Sequence, residues 1–162
     1  MQIILDTDVN SNGPLNNFQI GYVFFRVFTG ANLFFHGFMR FVNGVSTWEV
    51  PTAALFADTF LPMPLVHIAL YLIPPVQVFL GTCIALGLFT RWALLGGLCL
   101  FFIILFGHVV RMNWSGAHIS MHYGLYYWIL LALLSQNRLS LDSYRTTKTS
   151  ESVPTGEKSQ AA

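Results

Sequence analysis

Seven residues that could carry chemistry, five histidines and two of the arginines, lie within or beside long apolar runs of this sequence. They are His36, Arg40, His67, His108, Arg111, His118 and His122. Histidine titrates near neutral pH and can relay protons, bind metals or donate to anions, and arginine donates strongly to oxyanions. His118 and His122 are four residues apart, so they would share one face of a helix. The elements that carry these residues decide whether they form one site.

The composition indicates a membrane protein. Hydrophobic residues make up 54% of the 162 residues and charged residues only 9%, whereas soluble domains carry about 25% charged residues. A net charge of +1 excludes a strongly basic nucleic-acid-binding protein. Cys83 and Cys99 both lie in apolar runs without metal-ligand spacing, which predicts buried structural thiols.

The apolar runs predict an all-α fold, a four-transmembrane-helix bundle. The predicted helices span about residues 18–40, 65–88, 92–110 and 118–136. Trp48 and Pro51 follow the first run and favour a short interfacial helix in the first outer loop, with Pro51 in its first turn. Residues 1–17 are predicted to be a cytoplasmic lead-in, 18–142 the membrane domain and 143–162 a disordered cytoplasmic tail.

The basic residues favour an N-in, C-in orientation, which places more of them on the cytoplasmic side. With four helices in this orientation, all five histidines, Arg40 and Arg111 would meet at the outer face. The sequence therefore predicts a polar catalytic site there. Histidines also suit the wet membrane interface, so the alternative is that some of them serve only as interface residues. Haem or a metal is possible, but no specific motif supports either, and the HExxH pattern is absent.

Arg26 is a second polar feature, because it lies well inside the first apolar run. Such an arginine costs about 2.5–3.5 kcal/mol on insertion scales unless it has partners. Helix depth allows a contact with Gln77, and Tyr71 shares a side of the second span with Gln77. These three residues are predicted either to form a structural polar network or to bind a quinone head group or an anion.

Several motifs resemble the DoxX/DoxD family of small four-helix membrane proteins. The matching segments are HGFMR at 36–40, IPPVQ at 73–77, GTCIALGLFTRWAL at 81–94, FGHVVRMNW at 106–114 and HYGLYYWILLALLSQNRLSLD at 122–142. The best-known member is the membrane subunit of thiosulfate:quinone oxidoreductase. The resemblance implies oxidation of thiosulfate to tetrathionate, transfer of electrons to the membrane quinone pool, and a location in a bacterial or archaeal cytoplasmic membrane. Family members often carry Glu at the position of Gln77.

The resemblance also implies a second subunit or a homo-oligomer. The sequence has no flavin, nicotinamide or iron–sulfur motif. Redox chemistry would therefore need direct contact between substrate and quinone, a cofactor held by histidines, or a partner. Two alternatives are a non-catalytic structural or assembly subunit of a larger membrane redox complex and a small transporter of anionic sulfur compounds.

Overall fold

The computed structural model describes residues 16–137 and 139–141, and this part of the chain is helical without any strand. The helices are α1 (Asn17–Val42), α2 (Val45–Ala54), α3 (Met63–Leu86), α4 (Thr90–Val110) and α5 (Trp114–Ala132), followed by a 3₁₀ turn at Leu134–Gln136. The all-α prediction is confirmed for these residues. The predicted tail, and the lead-in apart from its last two residues, lie outside them.

One face of α1 is buried and the other is exposed. The helix begins with a capping box, in which the Asn16 backbone N–H donates to Gln19 Oε1 at 3.2 Å. The buried face carries Arg26, Thr29, Gly30, Leu33 and Gly37. The exposed face is rich in phenylalanine, and Phe28 is 75% exposed. This segregation agrees with the 3.6-residue period of the sequence.

Glycines let α1 and α3 pack closely side by side. A Cβ added at Gly81 would lie 2.8 Å from the carbonyl oxygen of Gly30, and one added at Gly37 would lie 2.6 Å from the carbonyl oxygen of Pro74. The two helices run antiparallel, since the later glycine of α1 meets the earlier part of α3. Small residues at such a crossing allow the two backbones to approach each other.

The helices α4 and α5 form a second antiparallel pair. Phe101 of α4 stacks on Tyr123 of α5 with ring centroids 4.9 Å apart. The core between the two pairs includes Leu33, Ile84, Leu94 and Leu130. The short helix α2 packs on the first turns of α3, where Ala53 and Phe56 meet Val66 and Leu70.

Prolines account for two differences from the predicted helix bounds. Pro51 lies in the second half of α2 and not in its first turn. Pro64 lies in the first turn of α3, where the missing N–H has no helical partner to lose, so α3 begins two residues before the predicted start. Cys99 also differs from its prediction, since it is exposed on α4, whereas Cys83 is partly buried.

Two of the described helices, α3 and α4, are long and apolar enough to cross a membrane by length and composition. Polar side chains explain why α1 does not join them. That helix carries Asn17, Gln19, Arg26, His36 and Arg40.

Candidate functional site

The predicted catalytic residues lie at one end of the helix bundle. The last turns of α1 and α4 and the first two turns of α3 and α5 meet there, and α2 covers part of this end. We call it the α2 end. The antiparallel order of the long helices brings the five histidines, Arg40 and Arg111 to it.

Arg40 connects three helices at the α2 end. Its Nη1 donates a hydrogen bond of 2.6 Å to Oε1 of Gln77 on α3. The guanidinium carbon lies 3.8 Å from the ring centroid of Trp48 on α2, within the range of a cation–π contact. Arg40 is therefore held in place by an amide acceptor and an aromatic face.

Arg111 follows α4 and is held in a similar way. Its guanidinium carbon lies 4.8 Å from the ring centroid of Phe56, and its Nε donates to the Gly107 carbonyl at 3.2 Å. Its Nη2 lies 2.9 Å from Nδ1 of His108. Because a guanidinium only donates, His108 Nδ1 accepts, and the ring carries its proton on Nε2. Burial lowers the pKa of the Arg111 guanidinium from its ordinary value.

An apolar cavity of about 470 Å³ opens between α2, α3 and α4. Aliphatic and aromatic side chains form most of its wall, among them Leu55, Phe56, Leu65, Val66, Leu70, Ile73, Ile103, Ile104 and Phe106. Its polar lining residues are Arg40, Thr52, His108 and Arg111. We call this space the apolar cavity. Its wall can hold a largely apolar molecule, while two guanidinium groups and an imidazole meet a polar head.

A second pocket, of about 910 Å³ and more open, lies in the angle between α1 and α2. Its lining is more polar and includes Asn32, His36, Arg40, Asn43, Thr47 and Thr52. We call it the polar pocket. Arg40, Trp48 and Thr52 line both spaces, so the polar pocket and the apolar cavity adjoin along these three residues.

Glu49 is a buried acidic residue of the α2 end that the sequence analysis did not single out, and neither it nor its partner His67 lines the apolar cavity or the polar pocket. Its carboxylate is 2% exposed and contacts Nδ1 of His67, whose side chain is 46% exposed. Glu49 belongs to the short helix α2 and not to one of the four long helices that carry the histidines. The sequence does contain a signal for Glu49, because this acidic residue follows Trp48 in the segment that is predicted to form the interfacial helix at this end.

The remaining histidines do not form one cluster. His36 lines the polar pocket, and its ring lies 6.5 Å from the Tyr123 ring. His118 and His122 are exposed on α5, line neither space, and are linked by a 2.8 Å hydrogen bond from His122 Nδ1 to the His118 carbonyl. Within the described ranges, no group of three or more His, Cys, Asp or Glu residues is placed to hold a metal ion.

Arg26, Tyr71 and Gln77 lie in three different places. Gln77 accepts from Arg40, and Tyr71 is exposed on α3. The Arg26–Gln77 contact allowed by helix depth does not form, because the glycine crossing sets Gln77 level with the last turns of α1. Arg26 lies near the opposite end of the bundle.

At that end, Arg26 is buried in a network with the segment after α5. It donates to Asn137 Oδ1 and, at 3.0 Å, to the Leu139 carbonyl. Asn137 Nδ2 in turn donates to Thr90 Oγ1 at 3.1 Å. Arg26 therefore connects α1 to the chain beyond α5 and, through Asn137, to the start of α4.

No protein-family model, curated protein or solved structure matches this chain. Its function is therefore inferred from the geometry of the α2 end together with the sequence motifs.

Proposed function

We propose that the protein is an integral membrane protein of four transmembrane helices, α1, α3, α4 and α5, with both termini inside and the α2 end outside. Large apolar side chains project from each of these helices, including Phe24, Phe79, Phe102 and Trp128, which are all more than half exposed. Such surfaces are costly in water, at about 25 cal/mol per Å² of apolar area. Lipid removes that cost.

The basic residues support the same orientation. Arg91, Arg138, Arg145 and Lys148 would lie on the cytoplasmic side, and Arg40 and Arg111 on the outer side. Trp48 on α2 would then lie in the outer membrane interface, which tryptophan favours.

Within this membrane, the protein acts as a quinone-linked oxidoreductase, or as its membrane subunit, on thiosulfate or a related small sulfur compound. The observation that carries the proposal is the apolar cavity with Arg40 and Arg111 in its wall. A quinone combines an apolar ring and tail with two carbonyl oxygens that accept hydrogen bonds. The cavity volume of about 470 Å³ falls within the range of about 300–1,000 Å³ that is typical of small-molecule sites.

Three of the polar lining residues have a defined task in this site. The guanidinium groups of Arg40 and Arg111 donate to the quinone carbonyls and stabilise the negative charge that develops on them during reduction. His108 is oriented by Arg111 through Nδ1, so its Nε2–H is the ring donor that can hydrogen-bond a quinone oxygen. Joining two thiosulfates through a new S–S bond releases two electrons, and a quinone that takes up two electrons and two protons becomes a quinol.

The test uses the purified full-length protein in lipid nanodiscs. Titration with a short-chain ubiquinone should give saturable binding, and added thiosulfate should reduce the bound quinone, alone or with co-purifying subunits. Arg111→Gln should weaken quinone binding about tenfold or more, since it removes a charged donor. Arg91→Gln is the matched control, because it removes the same charge from the other end of the bundle.

Two results would overturn the proposal. The first is an absence of saturable quinone binding in the wild-type protein. The second is equal quinone affinity of Arg111→Gln, Arg91→Gln and the wild type. If quinone does not bind but the chain co-purifies with a larger redox complex, the structural-subunit alternative is favoured.

A further inference from the structure

The polar pocket has a lining unlike that of the apolar cavity. It lies where α1 ends and the chain turns at Gly44, whose φ of 84° belongs to the left-handed region. This turn directs α2 back across the last turns of α1 and leaves an open space between the two helices. Amide and hydroxyl groups of Asn32, Asn43 and Thr47 line that space.

The charge of the polar pocket is of one sign. Arg40 is its permanent cation, and His36 lies in the same wall and adds a second positive charge when protonated. Within the described part of the chain, no aspartate or glutamate lines the pocket. The nearest acidic residue in sequence, Glu49, is buried against His67. A positive concave wall without a carboxylate attracts small anions and concentrates them.

Arg40 has donors to spare for such an anion. Its Nη1 donates to Gln77, while its Nε and Nη2 have no hydrogen-bond acceptor among the described residues. The stacked Trp48 ring and the Gln77 amide hold the guanidinium plane in place. A fixed guanidinium loses little entropy on binding and can donate two parallel hydrogen bonds to an oxyanion.

We propose that the polar pocket binds a small inorganic oxyanion, with Arg40 as the principal donor and His36, Asn43 and Thr47 completing the site. The inference rests on the proposed function for the role of the anion, which is that of the electron-donating substrate. The anion occupies a pocket of its own, which adjoins the quinone site along Arg40, Trp48 and Thr52. The quinone in the apolar cavity and the anion in the polar pocket therefore both contact the Arg40 guanidinium but occupy different spaces.

Sulfate serves as the probe, because it is an oxyanion that the protein cannot oxidise. Isothermal titration calorimetry of the protein in nanodiscs, without quinone, should show one saturable sulfate site. Asn43→Asp places a carboxylate in the pocket with almost no change in shape and should weaken sulfate binding about tenfold or more. Asn113→Asp is the matched control, because it adds the same charge at the same end outside both spaces and should have a much smaller effect.

Three arginine variants locate the shared group. Arg40→Gln should weaken the binding of both sulfate and quinone. Arg111→Gln should weaken quinone binding alone, and Arg91→Gln should leave the binding of both ligands unchanged. Since Arg40→Gln also removes packing contacts, thermal unfolding identifies any loss of fold, and the isosteric Asn43→Asp variant tests the site independently.

The results separate this inference from the proposed function. Quinone binding without a saturable sulfate site overturns the inference and leaves the proposed function standing. Sulfate binding without quinone binding overturns the proposed function and leaves the anion site. If Asn43→Asp and Asn113→Asp weaken sulfate binding equally, the assignment to the polar pocket is overturned, because the effect of the added charge is then diffuse.

Discussion

Arg40 and Gln77 are joined by a hydrogen bond of 2.6 Å between Nη1 and Oε1, which connects the last turn of α1 to the middle of α3. Gln77 is 4% exposed, so its amide has left water and needs the guanidinium as a partner. The same guanidinium lines the apolar cavity and the polar pocket. One interhelical hydrogen bond therefore positions the group on which both proposed ligands depend.

Substitution of Gln77 separates the fold from the charge of the site. Gln77→Leu removes the acceptor and leaves a guanidinium donor without it, so we expect the free energy of unfolding to fall by about 1–3 kcal/mol. Gln77→Glu keeps an acceptor of the same shape and adds a negative charge. Its carboxylate should pair with Arg40 and reduce sulfate affinity.

Thermal unfolding in detergent measures the stability of Gln77→Leu, and calorimetry measures the sulfate affinity of Gln77→Glu. Unchanged stability of Gln77→Leu would show that the hydrogen bond contributes nothing to the fold. Unchanged sulfate affinity of Gln77→Glu would show that the charge on Arg40 does not govern the polar pocket.

The contact between Glu49 and His67 predicts a coupled pair. His67→Ala leaves the Glu49 carboxylate buried without this imidazole, so we expect it to destabilise the protein by about 1–3 kcal/mol. In a Glu49→Gln background the same substitution should cost less, because a neutral amide is cheaper to bury than a carboxylate. Thermal unfolding of the two single variants and the double variant completes the cycle. Additive effects of the two substitutions would show that the contact carries no interaction energy.

The helices and the common end of the histidines could be predicted from sequence, because apolar runs separated by short turns force neighbouring helices to run antiparallel. Arg40, His108 and Arg111 do line one cavity. The sequence could not predict that the other histidines lie in separate places at this end, because the direction of a side chain around its helix depends on how the helices pack.

The hydrogen-bond partners of the buried polar residues also could not be predicted from the sequence. Depth counted from predicted helix ends placed Arg26 level with Gln77. The actual register is set by the contacts of Gly30 and Gly37 with α3, and it pairs Gln77 with Arg40. One partner of Arg26 is Asn137, which lies 111 residues away in sequence, and no periodicity connects them.

Asn137 should hold the segment after α5 against Arg26. Asn137→Ala removes an acceptor for the Arg26 guanidinium and the donor to Thr90, so we expect a loss of about 1–3 kcal/mol in stability. Backbone amides at 139–141 should also exchange hydrogen faster, since the Leu139 carbonyl belongs to the same network. Hydrogen exchange measured by mass spectrometry checks this. Asn43→Ala, at the other end, is the control, and equal exchange at 139–141 in both variants would contradict the proposed connection.

The glycine crossing of α1 and α3 should be the most sensitive point of the fold. Gly81→Ala places a Cβ 2.8 Å from the Gly30 carbonyl oxygen and from the Phe34 Cα, and these backbone atoms cannot rotate away. The helices must separate, which costs about 1–3 kcal/mol or more. Separation also pulls Gln77 away from Arg40, so sulfate and quinone binding should weaken although Gly81 lines neither space. Gly124→Ala is the matched control, because a Cβ there meets nothing within 4 Å and alanine favours a helix over glycine by about 1 kcal/mol. Equal melting temperatures and equal ligand affinities for the two variants would show that close packing of α1 on α3 does not position Arg40.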